Sequence, residues 1–198
     1  MDVKKRVLII GGGASGLAAA VWAARQGARV TVVEHMDRVG KKILSTGNGR
    51  CNLTNLRMEE DCYRCGQKGF PMEVIRGFGV DETLAFFKGL GIEPKDRNGY
   101  IYPNSDQASA VLDVLRSEVE RLGVAVLLSC RVEKIEPAAG GGHVCYKVYT
   151  DQGILDADAV ILAAGSKAAP STGSDGSGYE LAGRLGHRII KPLPALVQ

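Results

Sequence analysis

The chain is short of aromatic residues (6%), has a single tryptophan and three histidines, and carries almost no excess of charge, and each shortage narrows what it can do. A net charge of +3, from 25 Lys and Arg against 22 Asp and Glu, is too weak a bias to argue for nucleic acid by itself. No apolar stretch approaches the roughly 20 residues that cross a bilayer, so no membrane association is expected. The opening MDVKKRVLIIGGG has too brief an apolar run for a signal peptide. Five cysteines, an odd number, do not make a disulfide framework, and the expectation is a cytoplasmic protein with reduced thiols. Cys62 and Cys65 form a C-x-x-C, but no second ligand pair follows at zinc spacing and no βαβ unit surrounds them. They read as surface residues, and no metal site is expected.

What the chain has in quantity is glycine, 26 residues gathered into a few short stretches rather than a low-complexity tract. Such clusters mark backbone that a side chain would obstruct. With 45% hydrophobic and 24% charged residues the remainder is ordinary for a globular domain, and one domain is the default.

The first glycine cluster follows KKRVLII, a continuous rather than alternating apolar run, as expected of a strand covered on both faces. LAAAVWAARQG then has helix-forming composition with Gly27 at its end, and ARVTVVE supplies a second buried strand. Gly11, Gly13 and Gly16 fit G-x-G-x-x-G. In that pattern the first glycine permits the tight turn, the second lets backbone approach a pyrophosphate, and the third lets the helix pack close to the strand. Glu34 ends the second strand, where its carboxylate would accept hydrogen bonds from a ribose 2′-OH and repel a 2′-phosphate. Strand, helix and terminal acid agree on dinucleotide binding; at this point NAD and FAD remain open.

A second cluster lies in KKILSTGNGRCNLTN, within a run from Arg38 to Arg57 that holds five cations (Arg38, Lys41, Lys42, Arg50, Arg57) and no acid. Such a local field suits an anionic ligand. Downstream, FPMEVIRGF and DETLAFFKGLG read as short helices, the latter with Asp81 as N-cap. Asn98–Gly99 predicts a hairpin turn before YIYP. SDQASAVLDVLRSEVERLG is an amphipathic helix with Ala108, Val111, Leu112, Leu115, Val119 and Leu122 on its apolar stripe. VAVLL then reads as a buried strand, and RVEKIEP, HVCYKVYT and GILDA as an antiparallel meander whose first two strands are joined by AAGGG. DAVILAAGS is a last buried strand running into a third Gly-rich loop at 163–178. In open parallel sheets ligands bind outside the carboxyl ends of the strands, where all three loops are expected. The fold class is therefore α/β: a Rossmann-like parallel sheet with a three-stranded antiparallel meander, and a small helix and hairpin insertion at about 58–104.

The first turn with Glu34, STGNGRCNLTN, GYIYP, and ILAAGSKAAPSTGSDGSGY followed by GH together resemble the bacterial NAD(P)/FAD-dependent oxidoreductases of the YhiN and BaiN type, glutathione-reductase-like flavoproteins. The resemblance covers essentially the whole chain and implies FAD rather than NAD at the first turn. It implies that Gly11, Gly13, Ala14, Ser15 and Gly16 hold the pyrophosphate and Glu34 the adenosine ribose. It further implies contacts nearer the flavin from Lys42, Gly47, Asn48, Gly49, Arg50, Cys51 and Asn52, a backbone contact to adenine at Val132, and a lining formed by Ala163, Ala164 and Gly165. Family members run to about twice this length, a two-domain size, with an inserted β-rich domain and a C-terminal return to the FAD domain. The chain stops at Gln198 and is read as the N-terminal portion, which by itself need not turn over.

Within the second loop, glycines would let main-chain N–H groups reach a flat anionic cofactor while Arg50 and Lys42 offset its charge. Cys51 sits among cations that would lower a thiol pKa, but it has no partner cysteine at a suitable spacing and is expected to be buried and inert. Tyr100 and Tyr102 are expected to pack the hairpin, and His187 to help cap a helix end. No catalytic residue is assigned. The leading expectation is a flavin-dependent oxidoreductase passing reducing equivalents from NAD(P)H through FAD to an unsaturated or carbonyl-bearing small molecule. The alternatives are a nucleotide-binding module without turnover and an FAD-dependent RNA-modifying protein, the latter resting on the basic loop alone. The oligomeric state is not readable.

Overall fold

The computed structural model describes residues 4–140 and 143–193. In chain order its elements are β1 (Arg6–Ile10), α1 (Ala14–Arg25), β2 (Arg29–Val33), β3 (Thr54–Asn55), α2 (Phe70–Gly77), α3 (Val80–Gly89), β4 (Pro94–Arg97), β5 (Tyr100–Pro103), α4 (Ala108–Arg121), β6 (Ala125–Leu127), β7 (Val132–Gly140), β8 (His143–Thr150), β9 (Gly153–Ala157), β10 (Ala159–Leu162) and α5 (Ser177–Arg184). They divide into two compact units, one of Met1–Lys42 with Leu115–Gln198 and the other of Ile43–Val114.

The first unit is built on a parallel sheet in the order β10-β1-β2-β6. Period-2 alternation assigns its faces. Leu8, Ile10 and Val33 belong to an apolar cluster with Cys130, Ile135, Val148, Ala157 and Leu181, which joins the sheet to the meander and to α5. Ile9 and Val32, fully buried, point the other way. Leu17, Ala20 and Val21 of α1, spaced i, i+3, i+4, are also fully buried. The helix stops because Gly27 turns left-handed (φ 84°) and the N–H groups of Gly27 and Ala28 bond to the carbonyls of Ala24 and Ala23, a Schellman closure. Arg25 then reaches Glu118 of α4 at 2.8 Å, and Arg121 holds the same carboxylate at 2.6 Å. Those guanidiniums, Arg121 first, bring the Glu118 carboxyl down to about 2 against an opposing effect of burial.

β7, β8 and β9 form the expected antiparallel meander, with an irregularity between Val132 and Lys134. β7 continues through Ala138–Gly140, which the sequence assigned to a connection; the rest of that AAGGG segment lies outside the described residues. β10 departs from expectation too. Among the described residues it is an edge strand with β1 as its neighbour, and Ile161 and Leu162 are each 37% exposed, where the composition reads as a buried strand.

In the second unit β3, β5 and β4 form a small antiparallel sheet, with Asn98 (φ 53°) and Gly99 (φ 87°) making the two-residue turn read from their types. Asp81 does not cap α3. Gly79 takes the N-cap position, and the Glu82 carboxylate reaches back to accept the Gly79 N–H at 2.9 Å. Glu82, three residues past the cap, satisfies that donor, whereas Asp81 lies two residues past the cap position and does not occupy it. The apolar stripe of α4 is buried from Ala108 to Val119, while Leu122 falls past the helix end. No described helix is long and apolar enough to cross a membrane.

Candidate functional site

The carboxyl edge of the parallel sheet positions the first glycine cluster. Ladder bonding runs to the last residues of the strands, with the Gly11 N–H on the Val33 carbonyl (2.8 Å) and the Ala163 N–H on the Ile10 carbonyl (2.8 Å). The turn at Gly11 (φ 105°) is pressed against the end of β10: a Cβ there would lie 2.5 Å from the Ala163 carbonyl oxygen. A Cβ at Gly16 would lie 1.8 Å from the Gly11 carbonyl oxygen, so α1 sits directly on its own entry turn. Gly13 differs from both, since a Cβ there would meet nothing within 4 Å. It is the N-cap of α1, no side chain caps that end, and no acid occupies the first turn. Ala14 and Ser15 beside it are exposed. An open helix amino terminus with outward N–H groups and a favourable dipole is a ready anion site, and its donors and free space fit a diphosphate.

Glu34 does more than its position at the end of β2 suggested. It is buried, its Oε2 accepts the Gly12 N–H at 2.7 Å, and its Oε1 accepts the Met36 N–H at 2.8 Å. The carboxylate thus fixes the glycine turn from within. A carboxylate has about four acceptor positions, and these two backbone donors take two of them. Gly12 is equally constrained, because a Cβ there would lie 2.5 Å from Val39 Cγ1, and its carbonyl accepts the Gly40 N–H at 2.9 Å. Val39–Gly40 is therefore a strap across the turn. The signal for it was present in the third consecutive glycine, one more than the fingerprint requires.

Ala163, Ala164 and Gly165 leave β10 as small residues, and Gly165 is left-handed (φ 77°) with the Ser174 hydroxyl 3.0 Å from where its Cβ would stand. Lys42 donates to that hydroxyl at 3.3 Å. Gly11, Ala164 and Val132 meet with Ile10, Val33, His35, Cys130, Arg131, Ser177 and Leu181 around one cleft. Its water-accessible interior is about 20 Å³, room for about one water, so a purine would require the cleft to widen. Around it His35 Nδ1 stands 3.3 Å from Glu34 Oε1, and Asp175 Oδ2 stands 3.2 Å from an Arg131 guanidinium nitrogen. Burial raises the Asp175 carboxyl, but hydrogen bonds from Ser177 and Arg131 outweigh it and hold the group at about 2. His35, Arg131 and Asp175 escaped the sequence reading; the only hint was an acid inside the Gly/Ser loop TGSDGSG.

Gly47, Asn48, Gly49, Arg50, Cys51 and Asn52 belong to the second unit. Gly47 (φ 54°), Asn48 (φ 55°), Gly49 (φ 81°) and Cys51 (φ 61°) are all left-handed, which for Asn48 and Cys51 is a strained backbone of the kind that clusters at functional loops. A Cβ at Gly47 would lie 2.7 Å from the Asn52 nitrogen and 3.1 Å from Tyr102, so Tyr102 packs on this loop; Tyr100 is 53% exposed. The Asn52 amide donates to the carbonyls of Thr54 and Ile101 at 3.2 and 3.1 Å, bracing the loop to β5. Burial pushes the Cys51 thiol up, opposed by a bond with Thr46, so the surrounding cations do not make it a thiolate.

The basic run is also less of a field than its sequence suggests. Lys41 pairs with Asp37 at 2.7 Å, Arg38 stands 4.0 Å from the same acid, and Arg57 bonds Glu59 and Asp61 at 3.1 and 2.5 Å. The neutralising acids lie just outside the run's limits. Arg50, half-buried, has no acidic partner among the described residues. Cys62 and Cys65 are exposed, and no cluster of metal-ligating side chains occurs among the described residues. At the end of α5 the His187 backbone N–H, not its ring, bonds the Ala182 carbonyl at 3.1 Å.

Compared with known proteins, residues 5–193 match the HI0933-like protein Rossmann domain. The chain belongs to this family. This HI0933-like chain is 49% identical over 195 residues to the 3-dehydro-bile acid delta(4,6)-reductase of Clostridium scindens, covering 98% of the chain and 47% of that protein. It is 27% identical over 191 residues to the ribosomal RNA dihydrouridine synthase of Haemophilus influenzae, covering 96% of the chain and 47% of that protein. The chain thus spans about half the length of these relatives. Among solved structures it resembles the 3-ketosteroid-delta4-(5alpha)-dehydrogenase of Rhodococcus jostii with a TM-score of 0.60 at 17% identity, over 83% of the chain and 46% of that structure, a likeness of fold.

Proposed function

We propose that the chain is the FAD-binding portion of a flavin-dependent oxidoreductase that takes reducing equivalents from NAD(P)H and delivers them to a small molecule bearing a carbon–carbon double bond conjugated to a carbonyl. The observation that carries this reading is the open amino end of α1 at Gly13, in a chain of the HI0933-like family. Bound FAD would supply the acceptance and release of hydride.

The chain's own residues bind and orient. Amides at Gly13, Ala14 and Ser15 would take the diphosphate, with Gly11 and Gly16 allowing the helix to reach it. Glu34 would accept the ribose hydroxyls from a carboxylate already fixed by two backbone donors. Val132 would offer backbone to the base, Ala163, Ala164 and Gly165 a small-residue wall, and Lys42 a compensating cation. Within the second unit, taken by itself, Arg50 is the cation suited to an anionic ligand edge, and Gly47, Asn48, Gly49 and Cys51 form backbone on which a polar edge could rest. Asn52 serves there as a brace.

The names of two relatives, a 3-dehydro-bile acid delta(4,6)-reductase and a ribosomal RNA dihydrouridine synthase, support this acceptor class. Both products are chemically those of saturating a double bond conjugated to a carbonyl. An RNA-modifying reading therefore keeps some support, although pairing of Lys41, Arg38 and Arg57 with neighbouring acids weakens its electrostatic basis. Purified chain incubated with FAD and desalted should retain an absorbance band near about 450 nm. A colourless product would remove the proposal. FAD retention without oxidation of NADH or NADPH by the longer parent protein would leave a binding module without turnover.

A further inference from the structure

We propose that Arg131 and Asp175 form a clasp that governs admission and release of the adenosine end of the dinucleotide; the inference rests on the function proposed above and deepens it. The cleft bounded by Gly11, Val132 and Ala164 has an interior of only about 20 Å³, so it must widen to take a purine. The apolar part of its wall is held in place. Ile10, Val33, Cys130 and Leu181 are between 1% and 6% exposed and belong to the apolar core beneath the sheet, and displacing close-packed core is costly. On its polar side Arg131, half exposed, is the part that can yield.

Arg131 is anchored by its backbone and loose at its tip. Its N–H donates to Asp151 Oδ1 at 2.8 Å and its carbonyl accepts the Asp151 N–H at 3.1 Å, while its side chain is 50% exposed. Asp175 is the fixed post: Oδ1 accepts the Ser177 N–H at 3.0 Å at the start of α5, leaving Oδ2 for the Arg131 guanidinium at 3.2 Å. His35, with Nε2 3.9 Å from the same Oδ2 and a Gly173 Cβ position 3.3 Å from its ring, fills the gap between post and strand end. The pair therefore joins the start of β7 to the loop before α5 beside the cleft, whose wall includes Arg131 and His35. Swinging the guanidinium outward opens it without disturbing the core.

The test is stopped-flow binding and release of FAD and of ADP, followed by fluorescence, on the 198-residue chain and on Arg131→Ala, Asp175→Asn and the double variant, with Arg131→Lys as the charge-retaining control. The clasp predicts that each single variant raises both association and release rates by about fivefold. The double variant should exceed neither single variant, because one interaction is lost once. Arg131→Lys should lie near wild type, and melting temperatures should differ little. Rates within twofold of wild type, a change in release alone, or additive effects of the two single variants would overturn the clasp. Failure of the wild-type chain to bind either ligand would remove the functional reading and the clasp together, whereas wild-type binding with unaltered variant rates removes the clasp alone.

Discussion

Two glycines three positions apart should respond to substitution in opposite ways, and the contrast separates fold from ligand. At Gly16 an added methyl would stand 1.8 Å from the Gly11 carbonyl oxygen, far inside contact, and the obstruction is backbone rather than a flexible side chain. Gly16→Ala must push α1 off its strand, with an expected loss of about 3 kcal/mol or more. At about 2–4 °C per kcal/mol for a chain of this size, that lowers the melting temperature by roughly 6–12 °C. Gly13 has ordinary extended backbone (φ −80°, ψ −169°) and nothing within 4 Å of its Cβ position. Gly13→Val should therefore cost about 1 kcal/mol at most, the difference between glycine and valine at an N-cap. Its side chain would nevertheless stand where the diphosphate is proposed to rest. Losing two charge-assisted amide contacts, each about 1.5–3 kcal/mol, weakens FAD by about 100-fold or more. Thermal melts and FAD titration by fluorescence quenching read the two effects. Unchanged FAD affinity in Gly13→Val, or a melting loss equal to that of Gly16→Ala, would refute the assignment of Gly13 to ligand space.

Other outcomes follow from the same contacts. Glu34→Ala strips acceptors from the Gly12 and Met36 N–H groups, so it should lose about 1–3 kcal/mol of stability even without nucleotide; a variant that melts like wild type yet binds FAD poorly would make Glu34 a ligand contact only. Glu118→Gln should cost about 1 kcal/mol at neutral pH. Because Arg121 and Arg25 depress the folded-state carboxyl to about 2, that contribution is complete above the ordinary value of 4.5 and fades as pH falls from there towards 2, so denaturation curves of wild type and variant should converge in that window. Under native conditions a thiol reagent should modify exposed Cys62 and Cys65 well before buried Cys51 and Cys130; early labelling of Cys51 would contradict its raised pKa.

The parts of this fold that local chemistry dictates were legible in the sequence. The glycine turn, the strand–helix–strand unit, the Asn98–Gly99 hairpin and the meander each depend on residues a few positions apart. The parts that depend on distant partners were not. β10 has the composition of a buried strand, and only the sheet order shows that it lies at the edge among the described residues. Glu34 was placed by spacing as a ribose acceptor, yet its hold on Gly12 depends on where the turn returns to β2. The five-cation run was counted without Asp37, Glu59 and Asp61, which fall just outside its ends and take up three of its charges. Asp175 and Arg131, 44 positions apart, meet only because α5 and the start of β7 share one cleft.

The proposed FAD site requires above all an anion resting against the first amides of α1. A ¹⁵N–¹H correlation spectrum recorded during titration with ADP reads those amides one by one. The signals of Gly13, Ala14 and Ser15 should move together and saturate with added ADP; ADP binding that leaves all three unmoved would contradict the proposed site.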